Sequence, residues 1–62
     1  MDISTELAFI DQQHWNNPLL AASAKNMLIA LKSLSDYANA TEKEMGEVTP
    51  QEILNMFLRS DL

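Results

Sequence analysis

The one imidazole of this chain, His14, follows Asp11 by three residues, a spacing that sets an acid and a base on one side of a helical turn. Nucleophilic catalysis builds on such a pair, the base drawing a proton from Ser, Thr or Cys and the carboxylate orienting the base. A lone Asp-His pair on a short helix more often packs or caps. As a zinc site, Asp11-x-x-His14 supplies two of the four ligands that zinc usually takes. The carboxylates Glu42 and Glu44 stand two apart, where helical neighbours fall three or four apart, so they do not form an acid-base pair. Gly46 is the sole glycine, so there is no glycine-rich loop to cradle a phosphate. These residues predict neither an enzyme, nor a metal site, nor a cofactor. Asn39-Ala40-Thr41 matches a glycosylation sequon, but inside a helical pattern it reads as chance.

Contact chemistry is better represented. Trp15 either plugs the turn between two helices or anchors a docking site, since Trp and Tyr dominate binding hot spots. Met56 falls off the apolar face of its helix and is either a rim residue or a partner contact. Met27 and Met45 read as core. The carboxylates Glu42, Glu44 and Glu47 oppose the dipole at a helix C-terminus. They form either a solvated, fraying end or a patch that meets a basic surface.

Composition narrows the classes further. With 62 residues the chain lies near the lower limit for one autonomous domain, and it has no cysteine to staple it. Self-association is the remaining support. Hydrophobic residues make up 47% of the chain, with one glycine and two prolines, a composition of a folding protein. Four basic residues against nine acidic ones leave a net charge of −5, which argues against direct nucleic-acid binding. The longest apolar run, Met27-Leu28-Ile29-Ala30-Leu31, is far short of the ~20 residues that cross a bilayer. An acidic start and absent cysteines make a cytoplasmic setting the expectation.

Three helices must position these groups. Val48-Thr49-Pro50-Gln51-Glu52-Ile53 combines a capping box, a first-turn proline and a hydrophobic staple, and predicts a helix over about 50–59. Asn17-Pro18 starts a second helix, which Gly46 should end, giving 28 residues from Pro18 to Met45. Its apolar residues Leu20, Ala24, Met27, Leu31, Leu34, Ala38, Thr41 and Met45 alternate four and three apart, a heptad seam. Tyr37 flanks that seam. Leu19, Ala22 and Ile29 form a second apolar line on the opposite face. A first helix, over about 3–15, carries the stripe Ile3, Leu7, Ile10 and His14 with Asp2 or Ser4 as its cap.

With connections at 16–17 and 46–49, both short helices should fold back antiparallel on the long one, and they could lie end to end along one side of it. The expected fold is all-α, a single domain of three helices with Leu19, Ala22 and Ile29 left uncovered, which predicts a homodimer in parallel or antiparallel register. In size, charge and helical class the chain resembles the small acidic helical proteins of phages and mobile elements that disable host regulators or defence proteins. That resemblance implies a modulator or inhibitor docking on a host regulatory or nucleic-acid-binding protein. The alternative is a structural subunit whose seam serves assembly alone. The docking or dimer surface is then expected at Trp15, Leu19, Ala22, Ile29, Tyr37, Glu42, Glu44, Glu47 and Met56.

Overall fold

A computed structural model describes residues 1–43, 46 and 48–62. Among these every regular element is an α-helix: α1 over Ser4–Gln12, α2 over Pro18–Ala40 and α3 over Pro50–Ser60. The starts follow local chemistry. Asn17 Oδ1 accepts from the Leu19 N–H at 3.1 Å and Pro18 occupies the first helical position. Thr49 Oγ1 accepts from the Glu52 N–H at 3.2 Å, with Pro50 first in α3. Of the two candidate caps for α1, Asp2 is the one that bonds: its Oδ1 accepts from the Ser4 N–H at 2.8 Å.

Both upstream helices end earlier than their sequence patterns suggest. α1 stops at Gln12, because Trp15 turns back and its indole N–H donates to the Ile10 carbonyl at 3.0 Å. That carbonyl is one of the last-turn groups without a partner inside the helix. His14 is therefore not on the α1 stripe. α2 stops at Ala40, for 23 residues in place of 28. Glu42 takes the left-handed conformation (φ 57°), the Lys43 N–H reaches the Ala38 carbonyl at 2.8 Å, and the Glu42 N–H reaches Asn39 at 3.3 Å. This pair of bonds is the Schellman termination. Gly46, the expected stop, has no positive φ. Ending at Ala40 puts Glu42 in the turn just beyond the helix. The second connection is consequently 41–49, nine residues in place of four.

The heptad seam is corrected as well. Ala24, Leu31 and Ala38 are buried and Leu20 is partly buried, but Met27 and Leu34 face solvent and Leu28 is fully buried. Thr41 is exposed, and Met45 lies outside the described residues. The inward stripe runs Ala21, Ala24, Leu28, Leu31, Ser35, Ala38, the same four-three alternation turned about 50° around the helix.

The placement of α1 explains the turn. Asp11, near its end, forms an ion pair with Lys25 early in α2, while Ile3, just ahead of its start, and Ile10 join the buried cluster that holds Leu28. α1 thus runs opposite to α2 on the side that Leu28 faces. α3 also packs on α2, and α1 touches α3. The two short helices lie beside each other, not end to end. Between the three sit Ile3, Ile10, Trp15, Leu28, Ile53 and Leu54, with Leu7, Phe57 and Leu58 packed at the edge. The molecule measures 39 × 17 × 15 Å.

Candidate functional site

The side chains expected to make contacts divide into two groups. Trp15 is only 8% exposed, and its ring is part of the core. It closes the turn after α1, where its indole N–H holds the Ile10 carbonyl. Leu19, Ala22, Ile29 and Tyr37 all lie on the solvent side of α2, and Met56 is exposed on α3. Glu42 is exposed in the turn after α2, whereas Glu44 and Glu47 lie outside the described residues.

The arrangement of charge on α2 is the most specific feature. Only Lys25, Lys32 and Asp36 are charged among its residues, and at 100° per residue all three fall within a sector of about 40°. Lys25 pairs with Asp11, and Lys32 donates to Asp36 at 3.0 Å. That ammonium, by its hydrogen bond first, holds the Asp36 carboxyl below the usual carboxylate range. From Ile29 round to Met27, a sector of about 160°, every residue is exposed and none is charged. A helix face that only meets water normally carries charged and polar residues. This face instead holds Leu19 (74% exposed), Met27 (44%), Ile29 (52%), Leu34 (59%) and Tyr37 (62%), with small residues between them.

Periodicity places Met27 and Leu34 in the core, yet they complete this surface. The signal that could have found it is the absence of charge around the helix, which does not depend on choosing a seam. A groove of about 850 Å³ lies between the α1–α2 turn and α3, and its lining includes His14, Val48, Ile53, Met56, Arg59 and Leu62. His14 is exposed at its rim. Asp11 is committed to Lys25, so the Asp-His spacing brings together no acid-base pair.

Sequence reasoning also passed over Asp61. Its Oδ2 and Oδ1 accept from the backbone N–H groups of Asn16 and Asn17, each at 2.8 Å, and its carbonyl accepts from Asn16 Nδ2 at 3.0 Å. A carboxylate thereby sits at the positive end of the α2 dipole and ties the end of α3 to the start of α2. No local pattern signals a contact between residues so distant in the chain.

Among the described residues, no helix is long and apolar enough to cross a membrane, and no three His, Asp or Glu side chains gather as metal ligands do. The geometry offers an uncharged exposed face on α2 and, apart from it, a groove between the α1–α2 turn and α3. Comparison with known proteins finds no matching family, no similar curated protein and no similar solved structure.

Proposed function

We propose that this chain is a protein-binding module and not an enzyme: a small acidic modulator that self-associates through α2 and presents its carboxylates to a partner with a basic surface. The observation that carries this reading is the uncharged, exposed face of α2 on a chain whose net charge is −5. Exposed apolar surface costs about 25 cal/mol per Å², and a second helix laid on that face removes the cost for both. Carboxylates outside it, such as Asp2, Glu6 and Glu42, stay available for charge steering, which speeds encounter and sets register with a cationic partner. An inhibitor of a host regulatory or nucleic-acid-binding protein is the form of modulator that fits this combination.

Sedimentation equilibrium and affinity capture at several salt concentrations test the proposal. A dimer that retains one regulatory partner at low salt and releases it as salt rises supports it. A protein that is monomeric at high concentration removes the self-association. The variant Ile29→Glu, whose side chain is half exposed in the single chain, should fold normally yet sediment as monomer. A dimer that captures nothing in a salt-dependent way points to the second reading, a structural subunit for which the uncharged face serves assembly alone.

A further inference from the structure

We infer that a small cleft between α1 and α3 receives one arginine side chain of the partner, with the guanidinium held by the Glu6 carboxylate and the Phe9 ring. This inference rests on the basic partner proposed above and names where one of its cations is bound. The cleft has a volume of about 210 Å³ and is lined by Thr5, Glu6 and Phe9 of α1 and by Gln51, Leu54 and Leu58 of α3. That is smaller than the roughly 300–1,000 Å³ of sites for drug-sized ligands. At ~30 Å³ for each water it holds about seven non-hydrogen atoms, the size of a single arginine side chain.

The lining matches both parts of that side chain. Leu54 is buried and Leu58 half-buried, an apolar floor for the methylene stem. Glu6 and Phe9, three residues apart on α1, are neighbours on one helix face, and Phe9 leaves 42% of its surface exposed. A ring and a carboxylate side by side attract the same cation, the one through its π face and the other through its charge. Thr5 adds a hydroxyl oxygen and Gln51 a carbonyl, its amide N–H donating to Asn55 Oδ1 at 3.2 Å. No lining residue is cationic. Glu6 is half-buried, and the ion pairs among the described residues, Lys25 with Asp11 and Lys32 with Asp36, leave it without a counter-ion. The α1 dipole favours an acid in the first turn, but it calls for no aromatic wall or apolar floor beside that acid. Arginine fits better than lysine because a planar guanidinium stacks on a ring while donating two hydrogen bonds to one carboxylate, whereas an ammonium is compact and strongly hydrated. The larger groove beside the α1–α2 turn selects neither sign, since His14 and Arg59 share it with Glu52 and Asp61.

N-acetyl-arginine amide is the probe, titrated into isotope-labelled protein and followed by the amide resonances and those of the Phe9 ring. Saturable shifts at Thr5, Glu6, Phe9 and Gln51 are expected, with a dissociation constant of about 1–10 mM. The citrulline counterpart, similar in shape but neutral, should give none, and the lysine counterpart should bind at least about threefold more weakly. Glu6→Gln should weaken binding about fivefold, and Phe9→Leu, which keeps apolar bulk without a π face, about threefold. Glu52→Gln removes a carboxylate of α3 outside the cleft and should change nothing. Circular dichroism verifies that each variant stays helical, and should Phe9→Leu fail to fold, Glu6→Gln and the citrulline compound still decide. Shifts that are equal for citrulline, that survive Glu6→Gln, or that follow every carboxylate alike overturn the inference, as does a lysine compound bound equally well. Low-salt capture of a basic protein that Glu6→Gln leaves at full strength overturns this site and keeps the functional reading. A wild type that binds the arginine probe here yet captures no basic protein keeps the site and overturns the reading.

Discussion

Replacing Asp61 by alanine removes a carboxylate that ties the end of α3 to the start of α2. Two hydrogen bonds from the Asn16 and Asn17 N–H groups, each 2.8 Å long, lose their acceptor together with the charge at the start of α2. Hydrogen bonds to charged groups are worth about 1.5–3 kcal/mol each when sheltered, but both N–H groups here are near solvent and water can replace the lost acceptor. Taking about 1 kcal/mol for each and a few tenths for the helix dipole gives a cost of roughly 2 kcal/mol. At ~0.05–0.15 kcal/mol per residue, the whole fold has a stability of only about 3–9 kcal/mol. For a domain of this size, that loss lowers the melting temperature by about 10 °C. Thermal melts followed by circular dichroism and by the fluorescence of Trp15 measure it, with both proteins at equal concentration because association also shifts the midpoint. Asp61→Asn keeps one acceptor without the charge and should fall between wild type and alanine. If Asp61→Ala melts within about 2 °C of wild type, the contact does not hold the fold together and α3 is retained by its apolar face alone.

Glu42→Gly should stabilise the chain by about 1 kcal/mol in urea denaturation, because glycine takes the left-handed turn after α2 without a Cβ penalty. An unchanged midpoint would contradict the termination described at Ala40. Thr49→Ala should cost ~1 kcal/mol through loss of the cap on the Glu52 N–H, read from a circular-dichroism melt. Leu28→Ala should cost about 2–5 kcal/mol and Met27→Ala less than about 1 kcal/mol, since the first opens a cavity and the second trims an exposed side chain. The reverse order in paired denaturation curves would restore the heptad seam to the core. The Asp2 carboxyl, held below its ordinary value of 3.8 chiefly by the Ser4 backbone N–H, contributes stability above that pH. The contribution is lost as pH falls below it through the folded-state value. Asp2→Ala should therefore be less stable than wild type above pH ~4 and converge on it at lower pH, and a stability difference that does not change across that range counts against the contact.

Helix starts were legible because their chemistry is local. Asn17-Pro18 and Thr49-Pro50 act on N–H groups two or three residues away, and both caps form where their sequences place them. Helix ends were less so. Nothing in its residue type marks Glu42 for a left-handed turn, and α1 ends where a tryptophan folds back on it. The four-three spacing in α2 determined that it is a helix with a buried stripe, but two stripes share Ala24, Leu31 and Ala38 and obey the same alternation. Leu20, Met27 and Leu34 complete one, and Ala21, Leu28 and Ser35 complete the other. The packing of α1 and α3 on the side of Leu28, where Ile3, Ile10, Ile53 and Leu54 join it in one cluster, decides between them. That choice turns Met27 and Leu34 outward and so creates the uncharged face on which the functional reading depends. Periodicity reports the angle between residues of one helix, whereas the direction of burial is set by neighbours that the chain brings in from far along its length.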